Sequence, residues 1–102
     1  LSRGMELGAG SDSPITTIDP LVGVAAFEAH HDPSQRLRRE EAVRVFTLGS
    51  ARLAHQEDKK GSLEPGKHAD FAVYDVDPID SPSLDGVRPV LTVSLGRDVY
   101  AA

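Results

Sequence analysis

Cysteine and tryptophan are absent from the 102 residues, and three Phe and two Tyr make up the aromatic side chains other than His. Without Cys there is no disulfide framework and no thiolate metal site, which suits a cytosolic (cytoplasmic) protein. No apolar run approaches the ~20 residues of a membrane-spanning helix; the longest is Leu21–Phe27, counting its Gly. Positive charge is also scarce. The formal net charge is −5, and Arg36, Arg38 and Arg39 are answered at once by Glu40 and Glu41. That balance argues against nucleic acid and against anionic membrane as partners. The length allows one modest core and falls far short of the about 250 residues of a (β/α)8 barrel. No secretory or transit peptide opens the chain, which begins Leu1-Ser2-Arg3-Gly4 without Met and reads as a cut piece of something longer. Repeats and low-complexity tracts are lacking. Gly8-Ala9-Gly10 lacks both the further Gly and the Lys of a phosphate-binding loop.

What is present is organised around Gly61–Asp75. Glu64-Pro65-Gly66-Lys67 has Pro where φ is preset and Gly where a type II turn requires positive φ. The strand that follows alternates Phe71 and Val73 against Ala72 and Tyr74, apolar on both faces, so the spacing predicts a sheet covered on both sides. Upstream, Met5–Gly10 alternates as a short strand and stops in the polar loop Gly10-Ser11-Asp12-Ser13-Pro14. Asp19-Pro20 predicts an N-cap and first helical residue, with Leu21, Val24, Ala25 and Glu28 at helical spacing until His30-His31-Asp32-Pro33. A second helix is predicted from Arg38–Glu40, with Ala42, Val43 and Phe46 on one stripe and Arg39, Glu40 and Arg44 on the other. Gly49 is expected to interrupt it, and Ser50 to cap a third helix, Ala51–His55. Downstream, Asp77–Ser83 carries two prolines and no regular element. Val87–Ser94 and Arg97–Tyr100 read as a terminal hairpin around Leu95-Gly96.

The run from Gly61 resembles the signature of the amidohydrolase superfamily of metal-dependent hydrolases, "G-s-l-x-x-G-k-x-A-D", which returns the chain from a catalytic barrel to a small β domain. Gly61, Ser62, Leu63, Gly66, Lys67, Ala69 and Asp70 match it. Together with Gly10-Ser11-Asp12-Ser13-Pro14, the likeness points to the exoenzyme-like group with a Gly-Ser-Asp-x-Pro motif. The fold it implies is an α/β fragment. Residues 1–60 would supply the last strand and helices of a (β/α)8 barrel, and residues 61–102 strands of a small composite β-sandwich domain.

The resemblance makes Asp12 the carboxylate at the end of the eighth barrel strand, a metal ligand and the catalytic general base toward a metal-activated water. The cofactor it implies is a divalent metal such as zinc. Ser11 and Ser13 would contact the small-molecule substrate beside it. By composition alone, Ser11-Asp12-Ser13-Pro14 reads as a turn closed by an Asx-type hydrogen bond; the flanking pattern favours the ligand. The remaining ligands, a His-x-His pair and later His residues, would lie upstream of Leu1, so the fragment by itself is expected to hold no metal tightly and to be inactive. His30 and His31, adjacent and expected on different sides of a helix end, match no ligand of that set; nor do His55 and His68. Asp70 reads as architectural, accepting N–H groups from the preceding turn.

Two functions follow. One is the C-terminal portion of an enzyme that hydrolyses amide or cyclic amide C–N bonds. The other is a non-catalytic α/β module derived from that fold, serving oligomerisation or binding. Under either, unpaired strand edges predict a homo-oligomer.

Overall fold

The computed structural model describes residues 1 and 3–102. Helices occupy the first half and a sheet the second. The first helix, α1, spans Pro20–Glu28. Asp19 caps it as expected, its Oδ1 accepting the Leu21 N–H at 3.0 Å, and Pro20 takes the first turn, where no N–H is needed. Leu21 and Val24 are its buried residues. Beyond it Asp32 caps a short 3₁₀ turn, accepting both the N–H and the hydroxyl of Ser34, and these bonds hold its carboxyl below the ordinary range. The rings of His30 and His31 do not diverge. They stack with centroids 4.4 Å apart, because the helix has already ended at Glu28.

The second helix, α2, spans Arg39–Arg44. The cap that Arg38 lacks is supplied from within: the Glu41 carboxylate accepts the Arg38 N–H at 3.2 Å and its Nε–H at 2.8 Å. Arg39, on the charged stripe of the helix, is tied to other elements. Its side chain is only 14% exposed, and it donates to Glu28 Oε1 at 2.5 Å and to the carbonyls of Pro78 and Ser81 at 2.8 and 2.7 Å. One guanidinium thus joins α1, α2 and the proline-rich connection, a task that needs several donors in a fixed fork.

Gly49 does not break the helix. Instead α2 runs into a π turn, Val45–Gly49, and on into α3, Ser50–Leu53. Gly49 and Ser50 both keep helical dihedrals, so Ser50 caps nothing. The glycine serves close approach, since a Cβ there would collide with the Leu7 carbonyl oxygen. Phe46 lies over Gly23 of α1 and meets Phe27 edge-on at 6.1 Å. The helical core is Leu21, Val24, Ala42, Val45 and Ala51.

Met5–Gly10 is not a strand. A strand exists through its neighbours, and among the described residues no other extended segment pairs with this one. Its backbone is met by the π turn and α3 instead.

The turn at Glu64–Lys67 forms as the sequence requires, with Gly66 at φ +93° and the Lys67 N–H bonded to the Glu64 carbonyl at 3.1 Å. Three strands follow, β1 (Phe71–Tyr74), β2 (Pro89–Ser94) and β3 (Arg97–Ala101), antiparallel in that order. Phe71 opposes Val93, Val73 opposes Leu91 and Thr92 opposes Tyr100. Val87 and Val93 are buried, but β3 is exposed along its length, and Val73, Val99 and Tyr100 stand 43%, 61% and 50% exposed. The sheet is therefore not covered on both sides: among the described residues no second layer packs on its outer face.

Candidate functional site around Asp12

Asp12 stands at the tip of a braced loop. Its backbone has φ +56°, a left-handed conformation that Asp tolerates better than most residues. The Asp12 carbonyl accepts the Ile15 N–H at 2.9 Å, and the Thr16 hydroxyl bonds to the Ser11 carbonyl. The hydrogen bond that closes the turn comes from Ser11, whose Oγ accepts the Ser13 N–H at 3.2 Å. An Asx bond is not formed. The Asp12 carboxylate is exposed and receives no hydrogen bond among the described residues, so its lone pairs are open to a ligand.

Ser11 and Ser13 flank it in different states. The Ser11 hydroxyl already serves the turn, whereas Ser13 is exposed and engaged through its backbone. Among the described residues, no group of three or more His, Asp or Glu side chains converges in a way that could hold a metal ion. Asp12 therefore has the donor chemistry for a divalent cation but supplies one ligand of the three or four required. His30, His31, His55 and His68 contribute nothing to it.

The loop leaves the helices through Leu7–Ala9, and Ser50 holds that point. Its Oγ accepts the Ala9 N–H and donates toward the Ala9 carbonyl, each at 2.9 Å. Sequence reasoning missed this residue because a Ser following Gly in a helical stretch reads as a cap. The available signal was the pair of glycines, Gly8 and Gly49, that lets the two backbones meet.

In the matched signature after Gly61, four residues make contacts that hold the chain together: Gly61, Ser62, Lys67 and Asp70. Gly61 has φ +99°, and a Cβ on it would press on Ala51 Cβ at 2.7 Å. Lys67 Nζ, only 14% exposed, lies 2.8 Å from Ser62 Oγ and 3.0 Å from Glu64 Oε2, and the Ser62 hydroxyl also bonds to Glu64. These contacts hold the Glu64 carboxyl below its ordinary range. Asp70 accepts no N–H from the preceding turn; its Oδ1 takes the Leu95 N–H at 2.7 Å, from the later hairpin. The expectation erred in direction because the partner lies 25 residues downstream.

An apolar groove of about 660 Å³ runs between α1, the π turn and β1, lined by Leu21, Val24, Phe46, Ala51, Phe71 and Tyr74 among others. Asp12 does not line it. No helix is long and apolar enough to cross a membrane among the described residues.

Residues 1–100 match the model of the amidohydrolase family. A Bacillus subtilis protein that carries an amidohydrolase name, YtcJ, is 33% identical over 98% of this chain and 21% of its own length. An imidazolonepropionase of Micrococcus luteus is 38% identical over 74% of this chain and 18% of its own, and an N-substituted formamide deformylase of Arthrobacter pascens is 29% identical over 78% and 16%. The chain thus spans about a fifth of the length of the curated relatives it matches. Among solved structures, an amidohydrolase from Thermotoga maritima superposes with a TM-score of 0.75 over 99% of this chain and 24% of that one, at 23% identity. A metal-dependent hydrolase from Pyrococcus furiosus gives 0.70 over 78% and 17%, at 40% identity. This chain belongs to the amidohydrolase family.

Proposed function

We propose that the chain is the C-terminal portion of a metal-dependent amidohydrolase of the exoenzyme-like group, which hydrolyses amide or cyclic amide C–N bonds. The observation that carries this reading is the Asp12 carboxylate, exposed and free of internal hydrogen bonds on a left-handed backbone, within a chain that matches the family almost from end to end. Residues 1–60 would complete the catalytic barrel and residues 61–102 a composite β domain. The relatives named for imidazolonepropionate and for N-substituted formamides make a C–N bond next to a carbonyl the substrate class.

Asp12 would be one ligand of a divalent cation, proposed as zinc, with the others supplied by parts of the polypeptide outside these residues. When bound, the cation lowers the pKa of water and polarises the scissile carbonyl. The Asp12 carboxylate would help hold the cation, accept the proton of the attacking water as general base and return it to the leaving nitrogen. Ser13, exposed beside it, would bond the substrate; Ser11, committed to the turn, would act by holding the loop. The reading puts the enzyme in the cytosol, in keeping with a sequence without Cys.

The test uses the full-length protein stripped of metal and titrated with Zn²⁺, followed by hydrolysis of imidazolonepropionate and an N-alkylformamide. Asp12→Asn should weaken Zn²⁺ binding and lower hydrolysis by orders of magnitude while leaving the fold intact. Zn²⁺ affinity and hydrolysis equal to those of the unaltered protein would refute the role of Asp12, whereas an unaltered, metal-loaded protein that hydrolyses neither substrate would favour a non-catalytic oligomerisation or binding module.

A further inference from the structure

Leu7–Ala9 docks on the helices with almost no side-chain volume between the backbones. Gly49 leaves room for the Leu7 carbonyl, and a Cβ on Gly8 would stand 2.7 Å from Leu53 Cδ1 and 3.1 Å from Ser50 Cα. Into this contact Ser50 inserts its hydroxyl, accepting the Ala9 N–H and donating toward the Ala9 carbonyl at 2.9 Å each. It also lies 3.0 Å from the Val45 carbonyl, so its single proton is shared between two acceptors. Meeting both the N–H and the C=O of one residue is what a facing residue does in an antiparallel ladder. Ser50 thus stands in for a neighbouring strand.

The π turn sets this arrangement. It adds one residue to the helical repeat and so turns every later side chain by about 100° relative to an unbroken α-helix. Without that addition the Ser50 side chain would stand about 100° further round the helix. Beyond Ala9, bonds from Ser13 to Ser11, from Ile15 to Asp12 and from Thr16 to Ser11 brace the loop as a unit, which joins the clamped residue through Gly10 alone.

We infer that Ser50, presented by the π turn Val45–Gly49, is the positioning residue for Asp12: its clamp on Ala9 fixes where the metal-binding carboxylate stands. This rests on the reading of Asp12 as a ligand.

The experiment compares Zn²⁺ affinity, measured by chelator competition on the full-length metal-free protein, across Asp12→Asn, Ser50→Ala, Ser50→Thr and Thr47→Ala. Thr47 is the control. Its hydroxyl bonds to Val43 within the same helical stretch, without touching Ala9. Ser50→Ala should weaken Zn²⁺ binding about tenfold, the cost of losing an outer support of a metal ligand. Ser50→Thr, which keeps the hydroxyl, should recover most of the affinity, and Thr47→Ala should bind as the unaltered protein does. The Co²⁺-substituted protein should show an altered visible spectrum in Ser50→Ala alone of the three hydroxyl variants. Unchanged affinity in Ser50→Ala with a loss in Asp12→Asn overturns the role of Ser50 and leaves Asp12 standing; unchanged affinity in both overturns the Asp12 reading itself. A loss in Thr47→Ala equal to that in Ser50→Ala also overturns the inference, because the effect then belongs to the helix. Should Ser50→Ala fail to fold, Ser50→Thr and amide exchange in the unaltered protein decide. Metal binding retained by Ser50→Thr, with the Ala9 amide exchanging more slowly than that of Gly10, supports the clamp. A folded Ser50→Thr that loses the metal, or an Ala9 amide as fast as that of Gly10, refutes it.

Discussion

The carboxylate of Asp70 reaches past its own strand to accept the N–H of Leu95 at 2.7 Å, and the neighbouring Gly96 N–H bonds to the Ala69 carbonyl at 3.0 Å. The start of β1 is thereby fastened to the turn that joins β2 and β3. That turn has φ +50° at Leu95 and +76° at Gly96, the two left-handed residues of a type I′ hairpin. A leucine in this conformation is strained by roughly 1–2 kcal/mol. Leu95→Asn should therefore stabilise the chain by about 1 kcal/mol, whereas Asp70→Ala, leaving the turn amide without its charged acceptor, should destabilise it by about 1–2 kcal/mol. Urea unfolding of both variants checks the opposite signs, and a destabilised Leu95→Asn would contradict the strain.

Arg39 carries the connection between the helices and the segment that follows β1. Arg39→Ala removes bonds to Glu28, Pro78 and Ser81 together and strands the half-buried Glu28 carboxylate, at a cost of about 3 kcal/mol. Arg39→Lys keeps the charge but not the fork, and should lose about half as much. A double-mutant cycle with Glu28→Gln separates the ion pair from the two carbonyl bonds.

Acid should loosen the Gly61–Lys67 turn. Contacts with Ser62 and Lys67 depress the Glu64 carboxyl in the folded chain. Its contribution is therefore fully present above the ordinary glutamate range and disappears as pH falls through the lower, folded value. Carboxyl titration by NMR should place Glu64 below an unstructured Glu, and Lys67→Met should raise it. An unmoved titration in Lys67→Met would show that the ammonium has no part in it.

Strand edges should drive self-association of the 102-residue chain. Among the described residues β1 and β3 each have one unpaired edge, and exposed Val73 and Val99 accompany them. Sedimentation at micromolar concentration should show a dimer or larger species, and Val73→Lys should shift it toward monomer. A compact monomer for the unaltered chain would count against the prediction.

Local chemistry was legible wherever a residue's own backbone requirement decides the outcome. Asp19-Pro20 starts a helix because one side chain satisfies an orphan N–H and the other needs none, and Pro65-Gly66 and Leu95-Gly96 turn the chain where φ is preset or positive. The family was likewise visible in the signature around Gly61, as residue types at fixed spacing. Tertiary structure alone decided where a group finds its partner. Met5–Gly10 has the alternation of a strand, but a strand is a property of two chains side by side, and here a serine hydroxyl occupies the partner's place. Gly49 and Ser50 read as a break and a cap until the Leu7 carbonyl and the Ala9 amide are brought against them across some forty residues. Arg39 read only as part of a charged stripe because its three acceptors lie on other elements. A sequence displays each donor and acceptor, whereas the pairing depends on distances through space that only the folded chain sets.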